Sequence, residues 1–238
     1  MQTALLEWFA RNGRDLPWRR TRDPYAILVS EVMLQQTQVS RVVPRYLEWL
    51  GRWPTVGALA QVSRGEVIRA WQGLGYNRRA VNLHRAAKQV AACGWPEDLT
   101  ELRGVGRYTA DAIACFAFGR AVLPTDVNVA RVLERSGLAF GPECAQALMD
   151  LGATVCVARV PRCGVCPLAS ACPSRGRRYE AARKQSRFEG SFRQRRARML
   201  RLVSAAAQRV DDLDPTVLES LQRDGLVTVR AGTVHLPA

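Results

Sequence analysis

Four cysteines, Cys156, Cys163, Cys166 and Cys172, fall in the spacing C-x6-C-x2-C-x5-C. Thiolates this close in a short stretch can saturate a tetrahedral zinc or an iron–sulfur cluster. The spacing is not the paired C-x2-C units of common zinc modules, which tilts the choice toward a [4Fe–4S] cluster. Two carboxyls stand out beside them. Asp126, in Leu123-Pro124-Thr125-Asp126-Val127-Asn128-Val129, precedes an apolar helical pattern, where an aspartate is a favoured N-cap. A carboxylate so placed can also face a developing cation, and the two roles are compatible. Glu31 is the one charged residue between Asp23 and Arg41, within Ala26-Ile27-Leu28-Val29-Ser30-Glu31-Val32-Met33-Leu34. Desolvation by such neighbours favours the protonated acid near neutrality. The competing reading is a helix whose polar side turns Ser30 and Glu31 to water.

The run Leu102-Arg103-Gly104-Val105-Gly106-Arg107-Tyr108-Thr109-Ala110 sets two glycines between a short helix and a longer one. Glycine lets a turn approach a phosphate closely, and the following helix offers free N–H groups at its positive end. Such a helix-hairpin-helix grips a DNA backbone without reading sequence. Alone it would be no more than a helix end; an apolar helix and then Asp126 follow it.

The elements that must position these residues are helical. Apolar residues recur at three and four through Ala26–Val39, Arg41–Trp53, Val81–Ala92, Thr109–Phe118, Val127–Leu138 and Cys144–Val157. Breaks are expected at Pro24, Pro44, Pro54, Gly73–Gly75, Pro96, Gly104–Gly106 and Pro142. Period-2 alternation is almost absent, so residues 1–173 read as all-α, without an internal repeat. Composition then shifts. From Ser174 to Arg201 there are eleven Arg/Lys residues against two acids, a basic linker over 174–190 running into a helix at about Ser191–Arg209. Asp214–Arg223 reads as a second helix, and Leu226–Val229 with Thr233–Leu236 as a hairpin turning at Ala231-Gly232. Helix, helix and hairpin make residues 191–238 a small winged-helix-like appendage.

The net charge of +14 points to a polyanionic partner, most often nucleic acid, and a hydrophobic content of 47% fits a globular chain. Met1 leads into an amphipathic segment carrying Leu5, Leu6, Trp8 and Phe9 rather than a leader, and no apolar run is long enough for a membrane span. The expectation is a cytoplasmic protein whose thiols stay reduced. Cys93, Cys115 and Cys144 sit in apolar helical patterns and are expected as small core residues.

Longer motifs carry a resemblance. Ser30-Glu31-Val32-Met33-Leu34-Gln35-Gln36-Thr37-Gln38-Val39, Leu16-Pro17-Trp18-Arg19, Trp71-Gln72-Gly73-Leu74-Gly75-Tyr76 with Arg79 and Asn82-Leu83, and Gln146 with Met149-Asp150-Leu151-Gly152-Ala153 stand in order before the cysteines. This series resembles the MutY-type adenine DNA glycosylases of the endonuclease III superfamily. The resemblance implies a two-lobed fold: a six-helix barrel over about 20–124 and an iron–sulfur cluster domain from 1–19 with 125–173. It implies a monomer that extrudes adenine from duplex DNA. Glu31 would protonate the base at N7. Asp126 would stabilise the sugar cation, with Asn128 near it, and water would finish the hydrolysis. Trp18, Arg19, Gln146 and Asp150 would help line the adenine pocket; Gln36 and Tyr76 would wedge into the duplex. Gly104 and Gly106 would hold the backbone, and the cluster would position Arg159–Arg162 on phosphates. Tyr108 stands where strand-cleaving relatives carry a Schiff-base lysine, so the enzyme would be monofunctional.

Two departures follow. Asn77 replaces the aromatic that usually follows Tyr76, and the residues after Cys172 are too few for the Nudix-like domain of typical relatives, which helps recognise 8-oxoguanine opposite adenine. Phe188-Glu189-Gly190-Ser191-Phe192-Arg193-Gln194 resembles the connector of shorter relatives. The expected substrate is adenine opposite 8-oxoguanine or guanine; a thymine/uracil mismatch glycosylase and a non-catalytic iron–sulfur DNA-binding protein are the alternatives.

Overall fold

The computed structural model describes residues 1–179 and 187–238; residues 180–186, inside the expected basic linker, lie outside it. The chain divides into two compact units. The first joins Met1–Ile27 to the stretch that begins at Gly106; the second joins Leu28–Val105 to the C-terminal segment.

The helices are α1 (Gln2–Asn12), α2 (Pro24–Leu34), α3 (Val39–Arg52), α4 (Val56–Gln61), α5 (Arg64–Ala70), α6 (Arg78–Cys93), α7 (Arg107–Phe116), α8 (Val127–Ser136), α9 (Ala145–Thr154), α10 (Phe192–Ala205) and α11 (Pro215–Arg223). No strand occurs before β1 (Gln208–Arg209) among the described residues; β2 (Thr228–Arg230) and β3 (Thr233–His235) complete the set. The all-α reading of the first 173 residues holds.

In the first unit, α8 and α9 pack together with α1 around Leu5, Val129, Val132, Cys144, Leu148, Leu151 and Leu168. Gly152 is required for that packing. A Cβ there would lie 2.8 Å from both Cβ and the carbonyl oxygen of Asn128.

In the second unit, α6 packs on α4 and α5, and α3 turns Val42, Tyr46 and Trp49 inward. Trp49 meets Trp53 and Trp71 edge-on, with centroids 4.6 and 5.6 Å apart. Pro44 does not break α3 as expected but lies inside it. Both Pro44 and Ser40 are on the exposed face, where water can take the carbonyl that proline leaves unbonded. The helix expected over Ala26–Val39 instead ends at Leu34, because Gln36 adopts φ +57° and Gln38 caps α3. Cys93 is a further correction: it is exposed at the last position of α6, whereas Cys144 is buried.

The appendage is built into the second unit. Ile68 of α5 and Val81 of α6 share one core with Met199, Leu200, Val203, Val217, Leu218 and Leu221 of α10 and α11. The Gly65 N–H donates to the Pro237 carbonyl at 2.8 Å, an approach that a Cβ at Gly65 would block. Ser191 and Asp214 cap α10 and α11. The hairpin turns at Ala231 and Gly232, both with positive φ, as a two-residue turn matching strand twist requires. Sequence reasoning missed β1, which pairs through Gln208 and Arg209 with Val234 and Thr233 and makes β3 the central strand.

Candidate active site and metal centre

Asp126 is the N-cap of α8, as its position before an apolar helix dictates. Its Oδ1 accepts from the backbone N–H groups of Asn128 (2.9 Å) and Val129 (2.7 Å). Its Oδ2 accepts from the Asn128 side-chain amide at 2.8 Å. The carboxylate is half-buried, and Val127 beside it is exposed. The orientation is held one step further out. Asn128 Oδ1 accepts from Arg131 Nη2 at 2.8 Å, and the same guanidinium donates to the carbonyls of Gly152 and Cys156, both at 2.7 Å. A continuous set of hydrogen bonds thus joins Asp126 to the first of the four cysteines.

Cys156, Cys163, Cys166 and Cys172 line one pocket together with Arg135, Val155, Pro161 and Ala169. Arg135, one turn beyond Arg131, donates to the carbonyls of Val157 (2.9 Å) and Ala158 (2.7 Å) and stacks 3.6 Å from the Tyr179 ring centroid. The pair clamps the loop after Cys156. Four thiols lining one cavity are a donor set that fits a thiolate-held metal centre. Burial pushes the Cys166 thiol up despite an N–H from Leu168, and the three neighbouring cysteines push it further.

Asp150 on α9 is 1% exposed, and two arginines take both of its oxygens. Arg19 binds it with Nη1 at 2.9 Å and Nη2 at 2.7 Å; Arg14 adds its Nε and its backbone N–H, each at 2.8 Å. Burial alone would raise this carboxyl, but the hydrogen bonds from Arg19 and Arg14 outweigh it and hold the group below the ordinary aspartate range. Asp150 therefore orients Arg19 and leaves no oxygen free to face a ligand. Arg14 was not anticipated; Gly13 and Asp15 around it give no hydrophobic or motif signal. Trp18 is buried, and Gln146 is half-buried one turn before Asp150 on α9.

In the second unit, Glu31 is only 6% exposed on a helix that is apolar nearly all round. The reading that turned Ser30 and Glu31 to water does not hold, since Ser30 is buried too. Gln36 and Tyr76 are both exposed, and both have left-handed backbones, φ +57° and +44°. For non-glycine residues such conformations each store about 1–3 kcal/mol. Gly104 (φ +81°) is needed twice over, because a Cβ would also meet Asn82 at 2.6 Å. Gly106 differs. Its φ is −89°, and nothing lies within 4 Å of where its Cβ would be. That open space precedes the N-terminal end of α7, on whose first turn Tyr108 sits.

Residues 29–150 match the family described as HhH-GPD superfamily base excision DNA repair protein. The chain belongs to this family. Among HhH-GPD relatives, an adenine DNA glycosylase of Mycobacterium tuberculosis is 41% identical over 273 aligned residues, covering 95% of this chain and 90% of that protein. Its Mycolicibacterium smegmatis counterpart is 42% identical, covering 94% and 91%. The human adenine DNA glycosylase is 41% identical over 73% of this chain but only 39% of its own length. A thermostable thymine-DNA glycosylase has the same fold at TM-score 0.66 and 28% identity, covering 73% of this chain and 94% of that one. Endonuclease III trapped on DNA superposes at TM-score 0.63 with 21% identity, covering 73% and 92%, which speaks for the HhH-GPD fold alone.

Proposed function

We propose that this chain is a monofunctional adenine DNA N-glycosylase that removes adenine mispaired with 8-oxoguanine or guanine. The observation that carries this reading is the state of two carboxyls, each in its own unit: Glu31 is buried in an apolar helix, and Asp126 is held by three hydrogen bonds. The adenine DNA glycosylases it resembles over nearly its whole length support the choice of base.

Buried glutamic acid is suited to donate a proton, here to adenine N7, so that the base departs as a neutral leaving group. The C1′–N9 bond breaks, and positive charge develops on the sugar. Asp126 stabilises that charge, with Asn128 and Arg131 fixing its oxygens so that no reorganisation is needed as the cation forms. Water adds to C1′ and releases a proton that restores the Glu31 carboxylate to its acid, leaving an abasic sugar and free adenine. Tyr108, a phenol at the start of α7, offers no amine for a Schiff base, so the strand stays intact. Arg19, steadied by Asp150 and Arg14, presents a guanidinium suited to the base's acceptor edge. Gly104 and Gly106 hold the backbone phosphate.

Cys156, Cys163, Cys166 and Cys172 would hold a [4Fe–4S] cluster. Bound there, it would supply rigidity to the loop bearing Arg159 and Arg162, whose own guanidiniums supply the positive charge for phosphates. Iron and acid-labile sulfide analysis, against zinc, tests this assignment.

The functional test is single-turnover base release from duplexes carrying adenine opposite 8-oxoguanine or guanine, with alkali revealing abasic sites. Release that disappears in Glu31→Gln supports the reading. Release of thymine or uracil instead, with adenine untouched, would replace it by the mismatch-glycosylase reading. A Glu31→Gln protein as active as the unchanged chain would exclude the mechanism.

A further inference from the structure

Arg79 is 8% exposed, and every acceptor its guanidinium meets is neutral. Nη1 donates to the carbonyls of Val32 (2.8 Å), Met33 (3.0 Å) and Gln35 (2.6 Å). Nη2 donates to the carbonyls of Leu74 (3.1 Å) and Gly75 (3.0 Å) and to the Thr37 hydroxyl (3.0 Å). Nε reaches the Tyr76 carbonyl at 3.4 Å. The first three acceptors are at or just beyond the C-terminal end of α2, where a helix leaves carbonyls without partners. The others belong to the Gly73–Tyr76 turn. One rigid, planar group therefore closes the end of α2 and pins a turn some forty residues away in sequence onto it.

Its ring contacts agree with that role. The guanidinium lies 5.2 Å from the Trp71 centroid and 5.7 Å from that of Tyr76. Trp71 Nε1 donates to the Gly75 carbonyl, and Thr37 Oγ1 to the Leu74 carbonyl, so the two segments are also tied directly. Flanking Arg79's acceptors are two of the three exposed non-glycine residues with left-handed backbones among the described residues, Gln36 directly after Gln35 and Tyr76 directly after Gly75. Neither conformation would persist unless surrounding contacts over-determined it. Burial lowers the Arg79 guanidinium to about 10, a measure of how far it is removed from water.

We propose that Arg79 is a positioning residue that sets Gln36 and Tyr76 as one two-pronged wedge, so that both prongs enter the duplex together when a base is extruded. The inference rests on the DNA glycosylase reading above. A lysine keeps the charge but cannot span both segments, since it has three donors on one nitrogen against the guanidinium's planar fork.

The test uses the full chain and two duplexes with the same adenine–8-oxoguanine pair. One has fully paired flanks; in the other the flanking pairs are mismatched, so that extrusion is already eased. Arg79→Lys should slow single-turnover release about a hundredfold on the paired duplex, and the mismatched flanks should restore most of the loss. Gln36→Ala, at an exposed position, should show the same flank dependence, and the double variant should add little to either single one. Fluorescence of 2-aminopurine beside the lesion reads extrusion without any excision. Failure of the adenine assignment thus leaves this wedge measurement standing. Equal deficits on both duplexes would assign Arg79 to stability alone. A Gln36→Ala variant without flank dependence would overturn the proposal whether or not Arg79→Lys folds.

Discussion

The two units each bury a charge, and they do so in opposite ways. In the first, Asp150 is matched by two guanidiniums, so the site is an ion cluster. In the second, Arg79 is matched by six carbonyls and a hydroxyl, so the site is a cage of fixed dipoles. An ion pair fails when either partner changes its protonation. A carbonyl cage has no partner to titrate and fails only when the geometry goes. The contrast suits what each holds: Asp150 fixes another side chain, Arg19, while Arg79 fixes the path of two backbone segments.

The sharpest way to break the comparison is to remove each charge. Arg79→Met strands the carbonyls of Val32 and Met33 in a buried setting. At roughly 1–3 kcal/mol for each buried acceptor left without a donor, the loss should be on the order of 5 kcal/mol. Asp150→Ala leaves two guanidiniums facing one another without their anion, worth about 3–5 kcal/mol. Urea unfolding measures both. An Arg79→Met protein as stable as the unchanged chain would show that water takes over the cage and that the dipoles were not decisive.

Acid distinguishes the two sites. The folded Asp150 carboxyl lies below its unfolded value. Its contribution is therefore complete above the ordinary aspartate range and is lost as pH falls through the depressed folded value. His84 lies below its ordinary value because burial, and then Lys88, disfavour its charged form. It adds a second loss, beginning as pH falls below the unfolded histidine value. Asp150→Asn should remove the lower-pH component of the acid unfolding curve and leave the higher one. Arg79→Met should shift the whole curve without altering its shape.

Gly152→Ala probes the first unit by shape instead of charge. The added methyl would press on Asn128, which orients Asp126, and overpacking of this kind costs about 1–3 kcal/mol. Base release should fall by more than the stability change accounts for, because the strain falls on the asparagine that holds the carboxylate.

Much of this was legible in the sequence, for reasons that differ by residue. Glu31 was conspicuous as a lone charge in an apolar run, yet only the family resemblance outweighed the reading that turned it to water; Asp126 could be read as a cap because a cap before a helix is a local signal. The cysteines announced themselves by spacing. Arg131, Arg135 and Arg79 were not legible as positioning groups: an arginine in a basic chain carries no local mark, and its acceptors are carbonyls of segments distant in sequence. The end of α2 at Leu34 was missed for the same reason. The apolar period continues to Val39, and the left-handed Gln36 that stops it sits between Gln35 and Thr37, which are held by Arg79 and Leu74 far away in sequence. Pro44 misled in the other direction, since its effect depends on which face of α3 it occupies.

The smallest expected effect lies in the appendage, where a charge is exposed and both solutions are weak. Asp214 Oδ1 accepts from the N–H groups of Thr216 (3.0 Å) and Val217 (3.2 Å), while Oδ2 accepts from Arg195 at 3.0 Å. Exposed ion pairs contribute at most about 1 kcal/mol and often nothing. Capping is worth about 1 kcal/mol and survives a change to asparagine. Asp214→Asn should therefore leave thermal stability almost unchanged, whereas Asp214→Ala should lower it by about 1 kcal/mol. If asparagine proved as damaging as alanine, the ion pair would outweigh the cap, and the division between charge-paired and dipole-solvated sites would have to extend to the surface. The shared core of α10 and α11 with Ile68 and Val81 makes the readout report on the whole second unit, because loosening α11 exposes apolar surface that α5 and α6 also cover.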